Sequence, residues 1–292
     1  MTQLSPRDLA SAIGVSESSV KRWVDGGELV ASRTAGGHRR IERAEAVRFI
    51  RARGATVERP ELLDLPPVAP RTQQPAGRVA AERLYGALVR QNAEAARSLV
   101  VSAYLGGASV AELCDGPLRE ALHRIGELWL DDERGIVIEH RAVDICVEAL
   151  TIVRQLLPTP ADEAPLAVGG APGKDVYILP SLMVTLVLAD AGFRARNLGP
   201  DTPFAVTLAA VADETPALVW QTVTVEAAAR GLGPFADELA ARSIPLAVGG
   251  QVFDDGRARV PEAAVRMRSM SELAGFARGL AGTPPRDSPV SP

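Results

Sequence analysis

The fold of the N-terminal part of the chain is decided by one stretch, Arg33-Thr34-Ala35-Gly36-Gly37-His38-Arg39-Arg40-Ile41. Its two adjacent glycines allow a tight turn, so the stretch predicts two short strands joined by that turn. The flanking arginines and the histidine are able to reach phosphates or the minor groove, which makes the hairpin a basic wing. We therefore expect DNA contacts from Arg33, Thr34, Gly37, His38, Arg39 and Arg40.

The residues before the wing predict two short helices separated by a turn. Ser5 followed by Pro6 is typical of a helix start, and this helix should run to Ile13. A turn over residues 14–16 then ends at a serine that caps a second helix, residues 17–24. Two helices in this order form a helix-turn-helix, whose second helix enters the major groove of DNA. Sequence selection is expected mainly from the polar side of that helix, which carries Ser18, Ser19, Lys21 and Arg22.

The charge of the 292-residue chain is unevenly distributed. Residues 1–55, called the head below, hold ten Lys or Arg and six Asp or Glu, so their net charge is +4. The whole chain has a net charge of −4, which leaves −8 for the remainder. A basic head on an acidic body indicates that only the head meets a polyanion, namely a double-stranded DNA operator.

Composition and periodicity divide the rest of the chain. Prolines make residues 56–77 a semi-extended linker, and helical spacing of apolar residues over residues 78–160 predicts a four-helix-type bundle. Over residues 161–281, short apolar runs alternate with helical stretches, which predicts a Rossmann-like, doubly wound parallel sheet. The proline-rich residues 282–292 are expected to be disordered. The predicted fold class is multidomain α and α/β, with a winged helix-turn-helix at the head.

The sequence argues against several classes of protein. It has neither an apolar run long enough for a membrane span nor a signal-peptide pattern, so a cytoplasmic protein without membrane contact is expected. Cys114 and Cys146 lack zinc-ligand spacing, so no metal site is expected. No set of nucleophile and base is recognisable, which argues against an enzyme.

Two resemblances extend this interpretation. The segment from Leu9 to Phe49 resembles the MerR family of transcription regulators, because turn, helix and wing occur in that family's order. Nearly the whole chain, in its order of helix-turn-helix, linker, bundle and α/β domain, resembles the CarH and LitR type of light-dependent repressors. The chromophore of those proteins is adenosylcobalamin.

In the bundle, Trp129 is followed after nine residues by Glu139-His140, which looks like that family's pattern of Trp, nine residues and Glu-His. In the family, the bundle caps the upper face of the cofactor. The resemblance therefore implies that Trp129, Glu139 and His140 contact a tetrapyrrole. An indole supplies a flat apolar face, and the Glu-His pair supplies hydrogen bonds to a polar rim.

In the α/β domain, the resemblance implies cofactor contacts from Asp175, Tyr177, Thr222, Gly249 and Gly250. The family's Asp-x-His-x-x-Gly loop, whose histidine is the lower axial ligand of cobalt, here reads Asp175-Val176-Tyr177-Ile178-Leu179-Pro180. A phenol with a pKa of about 10 is a poor substitute for neutral imidazole at an alkylated cobalt. Three alternatives follow: cobalamin held without protein ligation, a linear bilin such as biliverdin, or no ligand.

These observations favour a DNA-binding regulator, a repressor by resemblance, in which light or a ligand changes oligomeric state and operator affinity. A homo-oligomer, dimer or tetramer, is expected because operators are usually read by several heads. The alternative hypothesis is a ligand-free regulator controlled by a protein partner.

Overall fold

A computed structural model describes residues 3–128 and 134–282 of the chain. The chain divides into two compact units, residues 1–159 and residues 160–292. The head and the bundle both lie in the first unit, and the parallel sheet lies in the second. Apart from Gly282, the predicted disordered tail is outside the described residues.

The head is a winged helix-turn-helix, as predicted. Its three strands form an antiparallel sheet in the order β1-β3-β2, and the wing is the hairpin of β2 and β3. Its elements are β1 (Gln3–Leu4), α1 (Pro6–Ala12), α2 (Glu17–Asp25), β2 (Ser32–Arg33), β3 (Arg39–Glu42) and α3 (Arg43–Arg53).

Serine caps set the start of both helices of the helix-turn-helix. Ser5 and Asp8 form a capping box, and the hydrogen bond from the Ser5 hydroxyl is the main reason that the pKa of Asp8 is lowered. Ser16 caps α2 by accepting a hydrogen bond of 3.2 Å from the backbone N–H of Ser19. These caps are local features of the sequence, and both predicted helix starts are confirmed.

The bundle surrounds a core of aliphatic side chains. One π-helical turn, Cys114–Leu118, joins α6 to α7, so Pro117 lies inside a continuous helical segment. The bundle helices are α4 (Gly77–Val89), α5 (Ala93–Leu105), α6 (Val110–Leu113), α7 (Arg119–Leu128) and α8 (Arg134–Leu156).

The proline-rich segment of residues 56–77 differs from the semi-extended spacer that its composition predicts. It contains short 3-10 turns at Pro60–Leu63 and Arg71–Gln73. Leu63 is fully buried and Leu65 is 7% exposed. Because these apolar side chains gain more from burial than from solvation, the segment packs against the head and the bundle.

The second unit is a doubly wound α/β domain, as predicted. Its five parallel strands follow the order β5-β4-β6-β7-β8, with the change of winding direction between β4 and β6. Its strands are β4 (Leu166–Gly170), β5 (Arg194–Asn197), β6 (Leu218–Thr222), β7 (Leu246–Gly249) and β8 (Ala264–Arg266). Its helices are α9 (Ile178–Asp190), α10 (Phe204–Glu214), α11 (Leu232–Ala241), α12 (Gln251–Asp254) and α13 (Met270–Ala281).

The topology of the sheet indicates where a ligand would bind. In doubly wound folds, ligands occupy the crevice at the carboxyl ends of the strands, where the strand order reverses. Here that position is the edge formed by the loops after β4 and β6. In the described part of the chain, no helix is both long and apolar enough to cross a membrane.

Candidate functional site

The exposed side of α2 carries most of the residues predicted to select DNA sequence. Ser18, Lys21 and Arg22 are exposed, and Ser19 is half-buried. The hydroxyls of Ser18 and Ser19 lie 2.8 and 2.9 Å from that of Ser16. Lys21 pairs with Glu17 at 2.7 Å. The two serines are thus part of the helix cap. Of the two basic residues predicted to contact DNA from α2, Arg22 forms no ion pair among the described residues.

The wing turn is held by its own backbone. Gly37 has a φ of +78°, a left-handed conformation that favours glycine. Its N–H donates to the carbonyl of Thr34 at 2.8 Å, and the Thr34 hydroxyl accepts from the N–H of His38 at 3.2 Å. Arg33, Thr34 and His38 are exposed. The turn therefore presents them to solvent on a fixed hairpin.

Arg39 differs from the other predicted wing contacts. Its guanidinium lies 2.5 Å from Asp25 at the end of α2, and its side chain is only 22% exposed. An arginine committed to a carboxylate has little charge left for a phosphate. In this structure Arg39 therefore ties the wing to α2.

The ion pairs of the head separate structural from uncommitted arginines. Arg39, Arg48 and Arg53 pair with acids of the head itself. Within the described residues, five head arginines form no ion pair. Arg51 donates hydrogen bonds to backbone carbonyls instead. The other four are Arg7, Arg22, Arg33 and Arg40. Arg7, which was not among the predicted DNA contacts, is exposed on α1 beside buried Pro6 and Leu9. We call the exposed side chains of α2 and the wing, together with Arg7, the DNA face.

The bundle residues of the predicted cofactor site lie on α8. Glu139 is half-buried and His140 is exposed. Ile136 and Val137, 42% and 63% exposed, lie on the same side of the helix as His140 because residues three or four apart share a helix face. We call Ile136, Val137 and His140 the α8 patch. Trp129 and Leu130 lie outside the described residues.

Asp175 is a structural residue of the sheet edge. It is fully buried, and its carboxylate accepts hydrogen bonds from the backbone N–H of Tyr177 at 3.2 Å and of Thr224 at 2.5 Å. These bonds tie the loop after β4 to the loop after β6. The carboxylate therefore holds the edge together rather than facing solvent.

The side chains around Asp175 expose an apolar surface at that edge. Val176, Tyr177 and Ile178 are 67%, 47% and 42% exposed, and we call them the edge patch. Tyr177 occupies the N-cap position of α9 without making a side-chain cap. Its aromatic ring is thus available to a ligand.

The diglycine and Thr222 contribute to packing inside the domain. A side chain on Gly250, where φ is +135°, would collide with the carbonyl oxygen of Val223, and a Cβ on Gly249 would lie 3.0 Å from that of Met267. The hydroxyl of Thr222, a residue only 4% exposed, donates to the carbonyl of Gly170 at 3.4 Å. Close approach of backbone segments therefore accounts for these residues without a ligand.

Trp220 on β6 lies in the interior of the α/β domain, behind the edge. This residue is 1% exposed, and a side chain on Gly169 would collide with its indole. Its Nε1 has no hydrogen-bond partner among the described residues. Trp220 packs as a core residue of the α/β domain.

Comparisons with known proteins identify the parts of the chain. Residues 4–54 match the helix-turn-helix domain family, and residues 80–154 match the B12 binding domain family. The chain joins a helix-turn-helix domain to a B12-binding domain. This combination fits a regulator rather than an enzyme, and no curated protein matches the sequence.

Solved structures resemble the fold of the B12-binding part. The monomethylamine corrinoid protein of Methanosarcina barkeri has 20% sequence identity and a TM-score of 0.53, over 68% of this chain and 96% of that protein. The methanol:cobalamin methyltransferase complex MtaBC of the same organism has 19% identity over 73% of this chain and 84% of that one, with a TM-score of 0.36. A cobalamin-binding protein of Desulfitobacterium hafniense DCB-2 has 16% identity over 69% and 98%, also at 0.36. Only the first is similar enough to support the fold assignment.

The α/β domain does not provide a nitrogen ligand for cobalt at the sheet edge. The three histidines of the sequence are His38, His123 and His140, so the α/β domain contains none. Tyr177 stands at the expected ligand position, and Asp175 is occupied by backbone N–H groups. The described residues contain no cluster of His, Cys, Asp or Glu that would hold a metal ion. The edge therefore offers exposed apolar side chains but no imidazole that could ligate cobalt from that side.

Proposed function

We propose that this protein is a DNA-binding transcriptional regulator, acting as a repressor, whose tetrapyrrole-binding module responds to light or to a ligand. The response is a change in oligomeric state, between monomer and dimer or tetramer, that alters operator affinity. The head supplies the DNA face, and the B12-binding part supplies the sensor. A tetrapyrrole would provide absorption of visible light, which would make the protein a photoreceptor.

The observation that carries the sensor function is the clustering of exposed apolar side chains. Of the ten large hydrophobic residues that are exposed in the described parts of the chain, five belong to the α8 patch or the edge patch. Exposed apolar groups that are clustered rather than scattered mark a binding surface. The edge patch includes Tyr177, which the sequence pattern assigned to the cofactor, and we propose that this patch contacts the tetrapyrrole.

Two tetrapyrroles are our candidates for the ligand. Cobalamin, including adenosylcobalamin, would bind without protein ligation from the α/β domain, because this domain has no imidazole. A linear bilin such as biliverdin needs no axial ligand at all. For either molecule, the ring of Tyr177 would supply an aromatic contact.

The DNA-binding function rests on the uncommitted arginines of the head. Four head arginines that have neither an ion pair nor a hydrogen bond to the bundle among the described residues lie on α1, on α2 and in the wing. Cations in this arrangement neutralise phosphates and displace counterions from DNA. A single small head binds weakly, so a regulator of this type is expected to place two or more heads on an operator.

The experiment that tests the sensor is an absorption spectrum of the purified protein after separate incubation with adenosylcobalamin and biliverdin in the dark, then after illumination. Retained, light-sensitive bands of either compound support the proposal and identify the chromophore. Molar mass by light scattering and affinity for a DNA fragment selected from a random pool should then change with light or ligand. If neither compound is retained, the sensor proposal is wrong and the partner-controlled regulator replaces it.

A further inference from the structure

The head docks on the bundle through Arg51 of α3. Its guanidinium donates hydrogen bonds to the carbonyl of Tyr104 and, at 3.0 Å, to that of Ala108. The guanidinium carbon also lies 3.8 Å from the centre of the Tyr104 ring. One side chain thus makes two hydrogen bonds and a cation–π contact to the end of α5 and the loop after it.

A second arginine of α3 contacts other parts of the same unit. Arg43 donates to the side chain of Gln155 near the end of α8 at 3.0 Å, and it lies 3.7 Å from Asp64 in the proline-rich segment. The Arg43 side chain is only 11% exposed. The head is therefore held at two ends of one helix.

The proline-rich segment is anchored at both of its ends. Near its start, the backbone N–H groups of Glu58 and Arg59 donate to the carbonyl of Ala12 at 2.8 and 3.1 Å. Near its end, the N–H of Ala69 donates to the buried hydroxyl of Ser102 at 3.0 Å. A segment held in this way does not act as a flexible tether.

The docked arrangement leaves the DNA face uncovered by the bundle. Arg22 on α2 and Arg33 and His38 in the wing remain exposed. The contacts to the bundle come from α3 and from the segment after it. Docking in this unit therefore fixes the orientation of the head without competing with DNA.

We propose that the head and the bundle form one rigid body in solution, with Arg51 as the positioning residue of their interface. Orientation of the DNA face is then set by the bundle, so any displacement of the bundle is passed directly to the recognition helix. Transmission of a tetrapyrrole signal by this route rests on the proposed function. The rigid body itself does not.

The test measures the distance between spin labels on the head and the bundle of the full chain by pulsed electron–electron double resonance. The labels are attached at Arg7→Cys on α1 and Glu94→Cys on α5, both at exposed positions. Cys114 and Cys146 are buried, and burial raises the pKa of Cys146 to about 12, so the native thiols should not take up label. We expect a single narrow distance peak.

Arg51→Met keeps the alkyl chain but removes the hydrogen bonds and the cation–π contact, so the narrow peak should be lost. The matched control is Arg22→Met, which removes an exposed arginine of the same head that makes no contact with the bundle, and should leave the peak narrow. If Arg51→Met fails to fold, Gln155→Ala breaks the Arg43 contact from the bundle side and should broaden the peak to a smaller extent.

A broad distance distribution in the unsubstituted background would overturn the proposal. So would a narrow peak that survives in both Arg51→Met and Gln155→Ala. A narrow peak in a protein that retains neither adenosylcobalamin nor biliverdin would contradict the sensor function but support the rigid body. The two proposals therefore fail separately.

Discussion

The DNA face of the head and the edge of the α/β domain leave opposite kinds of side chain in solvent. In the head, most acidic side chains form ion pairs within the protein, whereas arginines such as Arg22 and Arg33 are exposed and form no ion pair among the described residues. At the edge, the carboxylate of Asp175 accepts hydrogen bonds from backbone N–H groups, whereas the side chains of Val176 and Tyr177 are exposed. The first surface suits a polyanion, and the second suits an apolar ring system.

Because of this difference, ligand binding at the two surfaces should depend on salt concentration in different ways. Binding of DNA by exposed cations releases counterions, so its affinity falls steeply as salt is added. Binding by apolar contact depends on the area removed from water and should change little with salt. Substitutions in the two surfaces should therefore change different measured properties.

Replacing Asp175 by alanine should destabilise the α/β domain strongly. Two backbone N–H groups would lose a charged acceptor inside the protein, which costs about 3 kcal/mol in the free energy of unfolding. Denaturant unfolding followed by circular dichroism measures this loss. Asp175→Asn keeps one acceptor oxygen and should lose less. Equal stability of Asp175→Ala and the unsubstituted protein would mean that the carboxylate is free for a ligand.

Serine at Val176 should weaken tetrapyrrole binding without reducing stability. The change removes exposed apolar groups of the edge patch, and a loss of about 1.5 kcal/mol of binding free energy corresponds to about tenfold weaker binding. Spectroscopic titration with the retained compound measures the effect. The control is Val206→Ser, which changes an exposed valine of the same domain outside the edge patch. If the control weakens binding as much as Val176→Ser, the edge patch is not the site.

Glutamine at Arg33 should reduce the salt dependence of DNA binding. Loss of one phosphate contact should lower the slope of log affinity against log salt concentration by about 0.9, with a modest loss of affinity. Titration of a mixed-sequence duplex at several salt concentrations measures the slope. Arg242→Gln, which removes an arginine at the C-cap of α11 in the second unit, is the control and should leave the slope unchanged. An unchanged slope in Arg33→Gln would remove the wing from the DNA face.

The head was predictable because its signals are local. Ser5 and Ser16 cap their helices by hydrogen bonds to residues three positions away, and Gly37 takes the positive φ that its turn requires. The apolar runs at residues 166–168, 193–198, 217–222 and 245–248 likewise predicted four of the five parallel strands. The fifth strand, Ala264–Arg266, was missed because three residues are too few to show a period.

What sequence reasoning missed depends on contacts between distant residues. The pairing of Asp25 with Arg39 joins residues 14 positions apart, and the bond from Thr224 to Asp175 spans 49. Prolines predicted a semi-extended linker, whereas Leu63 and Leu65 between them are buried and the segment is docked. The close approach of Gly250 to the backbone of Val223 likewise joins residues that are distant in the sequence.

The buried Trp220 gives the α/β domain an internal optical reporter. An indole removed from water emits at shorter wavelength than an exposed one, so unfolding of this domain should shift the fluorescence to the red. Its position on β6, two residues before the edge at Thr222, also makes it an energy-transfer donor to any coloured compound bound there. In a variant whose other two tryptophans, Trp23 and Trp129, are replaced by phenylalanine, loss of tryptophan emission on adding a tetrapyrrole would therefore report occupancy of the edge without any added label.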